Sequence, residues 1–161
     1  IACCAEAALE GWFIDIDLLR MCSCMQWIQK QQGISGDWLD NLPDCPCSIG
    51  SPPTNPDSST WSDPKEASQK YHPGASHCIR SKPTDNDRAQ QCCYDDSAEL
   101  ITGGLGAGTP DYSATEFPFV EHYRDDVQSF NLCRSSGMVE FYFAYRPPNK
   151  GEGCEPNVTP F

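Results

Sequence analysis

The sequence predicts an α+β fold of the small, disulfide-rich kind: a single domain with N-terminal helices packed on an antiparallel sheet and long ordered loops. Three observations predict it. Eleven cysteines lie in 161 residues, several of them in tight pairs. Apolar residues near the N-terminus recur at helical spacing, and the second half breaks into short alternating runs punctuated by glycine, proline and aspartate. A chain of this length forms one domain and buries about two-thirds of its extended surface, so a core is attainable and the bridges supplement it.

The elements follow in chain order. Leu9, Trp12, Phe13 and Ile16 fall at i, i+3, i+4 and i+7, and Leu19 continues the stripe, while Asp15 and Asp17 fall on the solvated side. Residues 23–32 extend this helix or form a second one that buries Trp27 and Ile28. Gly33 and Gly36 end it, and Asp37 is expected to cap a short turn carrying Trp38 and Leu39 inward. Prolines 46, 52, 53, 56 and 64 exclude regular structure from most of residues 43–64, which are expected to lie on the body as a loop pinned by Cys45 and Cys47. Residues 77–81 read as a strand, and residues 91–95 and 99–102 as a hairpin turning at Asp96-Ser97-Ala98. Gly103, Gly104, Gly106 and Gly108 lack the Lys-Ser/Thr of a phosphate loop; they read as a turn needing positive φ or close backbone approach. Residues 138–146 alternate, with Val139, Phe141, Phe143 and Tyr145 on one face, and predict the clearest strand of the chain.

The cysteines set the compartment. Cys3-Cys4, Cys22 with Cys24, Cys45 with Cys47, and Cys92-Cys93 are paired in sequence, while Cys78, Cys133 and Cys154 stand alone. This density fits a secreted, extracellular protein, since thiols persist as disulfides only where the redox poise allows it. The chain begins at Ile1 and is expected to be a processed mature form. Neighbouring Cα atoms lie only about 3.8 Å apart, below the usual range for a bridge. Cys3 and Cys4 should therefore take different partners, and so should Cys92 and Cys93. An odd count leaves one cysteine as a free thiol or as half of an intermolecular bridge, so a disulfide-linked homodimer is one expectation. Zinc is disfavoured: no CxxC occurs, and His72 and His77 stand five apart with a proline and a glycine between them.

A formal charge of −12 and a pI near 4.4 argue against nucleic-acid partners and against anionic lipid surfaces. No apolar run approaches the ~18 residues of a membrane span, so no membrane insertion is expected.

Six stretches together carry a family signature: CMQWIQKQQ from Cys24, LPDCPCS from Leu42, YHPGASHCIRS from Tyr71, QQCCYDDSAELITGGLGAGTPD from Gln90, HYRDDVQSFNLC from His122 and YRPPNKGEGC from Tyr145. In this order they resemble the AMOP domain, a cysteine-rich extracellular module of mucin-type, sushi-domain and isthmin proteins, and within that group they are most similar to isthmins. The resemblance divides the chain into an N-terminal helical segment (1–21), an AMOP-like domain (22–154) and a C-terminal tail (155–161). It implies adhesion and cell-surface recognition, with no catalytic residues and no cofactor.

A glycan or glycoprotein receptor at the cell surface is the expected partner, with lectin-like binding. Sugars call for carboxylates and amides facing hydroxyls, beside an aromatic ring. Asp111, Tyr112, His122, Tyr123, Asp125 and Asp126 offer such groups on expected loops, and Trp61 is a further candidate. The competing reading makes these aromatics loop anchors in the core. Other functions weighed are a protein ligand for a receptor and a hydrolase or toxin using His72 or His122. Calcium in the oxygen-rich loops at 85–87 and 95–99 is a further option. Asn157-Val158-Thr159 fits the N-glycosylation pattern, with Pro160 directly after it.

Overall fold

Helices and sheet separate into two units. The computed structural model describes residues 15–50, 57–62, 69–112 and 120–154. A helical unit draws on Ile1–Asn41 and Tyr112–Pro147, and a sheet unit on Leu42–Asp111 and Pro148–Phe161. The α+β, disulfide-stapled class therefore stands.

In the helical unit, α1 spans Ile16–Gln32 as one continuous helix. The Asp15 carboxylate caps it by accepting the N–H groups of Asp17 and Leu18, and the Gly33 N–H closes its end on Lys30 and Gln31 carbonyls. Trp27 is buried as expected, but the described end of the apolar stripe is not. Ile16 and Leu19 are exposed, and Leu9, Trp12 and Phe13 lie outside the described residues. The face that is covered carries Cys24, Trp27 and Gln31, at i, i+3 and i+7. The bridge from Cys24 to Cys133 fixes that face toward the rest of the unit. A 3₁₀ helix, Gly36–Asn41, follows, and its start is held by the Ser35 hydroxyl accepting the Asp37 N–H, so Ser35 takes the role expected of Asp37. Trp38 and Leu39 are half-buried.

The unit resumes with α2 (Val120–His122), a π-helical turn (Tyr123–Gln128), α3 (Ser129–Ser135) and α4 (Val139–Phe143). The last of these corrects the strand expected over 138–146. Tyr142 and Arg146 are the buried residues, four apart, whereas Phe141 is 56% exposed. The alternation of aromatic residues satisfied a period of two, but stacking of Tyr142 on Trp27 imposes the helical period.

The sheet unit holds four antiparallel strands in the order β1-β2-β3-β4: Trp61–Ser62, His77–Ser81, Ala89–Tyr94 and Pro110–Asp111. β2 coincides with the expected strand. β1 lies inside the proline-rich stretch, where no strand was predicted. All of β3 is buried, and Ile49, Trp61, Ile79, Cys92, Tyr94 and Ala98 form the core around it. The doublet divides as geometry required: Cys92 bonds Cys45, and Cys93 bonds Cys78 directly opposite on β2. Cys47 reaches Cys154, so both sulfurs of the Cys45-Pro46-Cys47 segment pin it. Cys3 and Cys4 lie outside the described residues, and Cys22 is buried in α1.

The turn at Asp96-Ser97-Ala98 forms, but the strand expected over 99–102 reduces to isolated bridges at Glu99 and Leu100. The Asp95 N–H donates to the Glu99 carbonyl, Ala98 adopts φ 63°, and Ile101 donates to Cys93. Pairing then stops. The glycine run carries the chain out from β3 and returns it at Pro110, opposite Gln90. Gly103 and Gly104 take positive φ, as predicted, while Gly106 and Gly108 admit close backbone. A Cβ on Gly106 would meet the Pro73 carbonyl, and one on Gly108 would overlap Gln91.

Candidate functional site: a caged arginine and an exposed helical surface

In the helical unit the chain leaves α4 through Arg146, a residue only 1% exposed despite its charge. Aromatic rings enclose it. The guanidinium carbon lies 5.0 Å from the ring centroids of Trp38 and Tyr112 and 5.5 Å from Trp27. Such contacts attract a cation most strongly where water is excluded. Its Nη1 donates to the Tyr145 carbonyl at 3.1 Å, and its Nε lies 3.9 Å from Asp126 Oδ1. Trp27 in turn stacks on Tyr142 at 4.9 Å, and Phe130 meets Tyr142 edge-on at 5.4 Å.

Asp126 is the anionic counterpart, buried in the π-helical turn. Its Oδ1 accepts the Tyr112 backbone N–H at 2.8 Å, and its Oδ2 lies 3.3 Å from His122 Nδ1. Asp125 turns to another side of the same helix. Arg124 donates to both of its oxygens, and Lys30 of α1 stands 3.6 Å away. Burial works against its charge, but these cations outweigh burial and hold the carboxyl below the usual carboxylate range.

Outside this core the helical unit carries exposed apolar side chains. Among the described residues, the exposed large apolar side chains are Ile16, Leu19, Met25, Val120, Tyr123 and Phe141, and all belong to this unit. Val120 and Tyr123 sit three residues apart, one turn of helix, with exposures of 64% and 54%.

The sheet unit closes on Asn149. Its Nδ2 donates to the carbonyls of Gln91 (2.7 Å) and Gly108 (3.1 Å), and its Oδ1 accepts from Gln90 Nε2 at 3.0 Å. Its backbone N–H bonds Gly108, and its carbonyl accepts from Gly103. One side chain thus fills the gap that the glycine excursion leaves beside β3. His72 supports the other flank. Its Nδ1 lies 2.9 Å from the Ala107 carbonyl, and its Nε2 lies 3.0 Å from Gln91 Oε1. Burial pushes this imidazole down from its ordinary value, against hydrogen bonds that favour the proton.

These geometries sort the residues expected to touch sugar. Trp61 is 5% exposed in the sheet core, so its ring offers no free face and takes the anchor role. Asp111 is buried in β4, 2.6 Å from Arg80. Tyr112 packs on Arg146 and Trp38. His122, Asp125 and Asp126 lie in the helical segment and not on a loop, and they are engaged in the contacts above. Tyr123 alone of the set presents a largely exposed ring. Asn157 lies outside the described residues. Sequence reasoning missed Arg146, Asn149, Val120 and Phe141. Helical spacing between Tyr142 and Arg146 was the available signal for Arg146, and the same reading turns Phe141 outward.

Comparison with known proteins adds three findings. A family model described as the AMOP domain matches residues 19–155. The chain is 33% identical over 130 residues to Sushi domain-containing protein 2 of Homo sapiens, an alignment covering 68% of this chain. The matched region spans only 16% of that relative's length. No solved structure matches the chain.

Proposed function

The chain belongs to the AMOP domain family, a group of extracellular, adhesion-type modules, and from that premise we propose that it is a non-catalytic recognition domain whose helical unit binds a polypeptide partner at the cell surface. One observation carries the reading. The exposed apolar side chains of the described residues, with Val120, Tyr123 and Phe141 among the most open, all sit on the helical unit. Exposed apolar side chains mark contact surfaces where they adjoin, and Val120 and Tyr123, one helical turn apart, are such a pair. Aromatic anchors are also what carry most of the energy of protein interfaces. The buried charges of the unit, Arg146 and Asp126, are engaged inside it, which leaves the contact to the exposed apolar residues.

The test is binding of the native, oxidised domain to cell-surface receptor ectodomains, comparing wild type with Tyr123→Ser and Phe141→Ser. Each truncation of an interface aromatic is expected to weaken binding about tenfold or more. Unchanged binding in both variants would reject the helical surface.

A second reading, lectin-like binding, draws support from Tyr123 alone. Its ring is exposed, and an exposed aromatic face is what the apolar side of a sugar ring stacks on. A glycan array run with and without EDTA tests it, and selective binding lost in Tyr123→Ala would favour sugar over polypeptide. Within the family, we place the chain beside isthmin-type modules on the run from Cys92 to Pro110 and the Asn149 ending.

A further inference from the structure

We infer that the Cys47–Cys154 bridge is a thiol-exchange site: an extracellular dithiol can open it while the domain stays folded. The four described bridges differ in access. Cys24–Cys133, Cys45–Cys92 and Cys78–Cys93 each contain a cysteine with no exposed surface, since Cys133, Cys92 and Cys93 are all 0% exposed. In the fourth bridge neither cysteine is buried: Cys47 is exposed and Cys154 is intermediate. Exchange requires a thiolate to reach a disulfide sulfur, so access selects this bridge.

The surroundings determine what opening releases. On the Cys47 side the backbone stays in place without the bridge. Leu100 donates to the Cys47 carbonyl at 2.9 Å, Tyr94 Oη donates to the Pro46 carbonyl at 2.9 Å, Ser48 pairs with Glu99, and Cys45 keeps its own bridge two residues away. On the other side Asn149 stays plugged beside β3. Between Asn149 and Cys154, the hydrogen bond among the described residues is the local turn from Cys154 N–H to the Gly151 carbonyl, and Gly151 packs against the Thr102 methyl. The disulfide is therefore the covalent tether of residues 150–154, backed among the described residues by the small Gly151–Thr102 contact, and reduction loosens them without dismantling the sheet.

The chemistry balances with a dithiol as reductant. One thiolate attacks Cys47 Sγ, the S–S bond breaks, and Cys154 leaves as a thiolate that takes up a proton. The second thiol of the reductant then displaces Cys47 from the mixed disulfide. Two electrons pass to the protein, giving two thiols, and the reductant leaves as its cyclic disulfide.

The experiment is graded dithiothreitol treatment of the native domain, with alkylation of new thiols, peptide mass mapping and far-UV circular dichroism on the same samples. Cys47 and Cys154 are expected to alkylate together at a reductant concentration about tenfold below that for any other described bridge, with the dichroism unchanged. The Cys47→Ser/Cys154→Ser double variant should fold on its remaining bridges and lose this first step. Simultaneous alkylation of Cys92, Cys93 or Cys133, or survival of Cys47–Cys154 until the fold is lost, would overturn the inference. The wild-type map decides the matter even if the double variant does not fold.

Discussion

Replacing Asn149 with alanine removes three side-chain hydrogen bonds at once: two from Nδ2 to the Gln91 and Gly108 carbonyls, and one accepted by Oδ1 from Gln90. The two backbone bonds of residue 149 survive the change. A hydrogen bond is worth about 1 kcal/mol net, and a buried polar group left without a partner costs about 1–3 kcal/mol. Gln91 keeps a second donor from Gln90 Nε2, and Gly108 keeps the backbone N–H of residue 149, so the larger penalties are avoided. The expected loss is therefore about 2–4 kcal/mol, a large share of the roughly 5–15 kcal/mol that holds a domain of this kind. Guanidinium unfolding of the oxidised protein measures it. Asn149→Asp should be worse than alanine at neutral pH, because a carboxylate would face two carbonyl oxygens, and should approach alanine as acid protonates it. A change in Asn149→Ala below about 0.5 kcal/mol would refute the plug reasoning, since it would place this substitution among ordinary surface ones.

Three further outcomes follow from the same physics. Arg146→Ala should cost about 3–5 kcal/mol in denaturant unfolding, because Asp126 would keep its buried charge without that cation and three rings would line a cavity. Arg146→Met should cost clearly less by the same measurement, since it refills the volume. His72 carries a pH signature. Its imidazole is held below the ordinary value of about 6.5, so the unfolded chain binds its proton first as pH falls. Stability should therefore be fully present above about 6.5 and decline below it until the folded state also protonates, and subtraction of a His72→Gln melting curve isolates that decline from the carboxylates titrating lower.

Local chemistry was legible in the sequence, and long-range packing was not. β2 and the turn at Asp96-Ser97-Ala98 were readable because their residues carry the required period and turn preferences within a few positions. The glycine roles were readable because positive φ and missing Cβ atoms are properties of the residue itself. The separate partners of Cys92 and Cys93 followed from peptide geometry alone. In contrast, β1 and β4 each contain two residues, too few for any period to register. The segment 138–146 alternates with a period of two, but with aromatics on both faces it also admits a helical period. Packing of Tyr142 on Trp27 and Phe130, from elsewhere in the chain, decides for the helix. The same limit hid the caged arginine, whose rings come from Trp27, Trp38 and Tyr112. Asp125 and Asp126 looked like loop carboxylates because nothing local announces Lys30 or Arg146 as their partners.

The most direct test of the recognition claim is binding of labelled native domain to live cells whose surface glycans have been enzymatically removed, run beside a Tyr123→Ser/Phe141→Ser double variant. Polypeptide recognition through the helical unit predicts binding that survives deglycosylation and falls at least about a hundredfold in the double variant, on the scale of two interface anchors. Binding that disappears with the glycans, while the double variant binds as wild type, would contradict it.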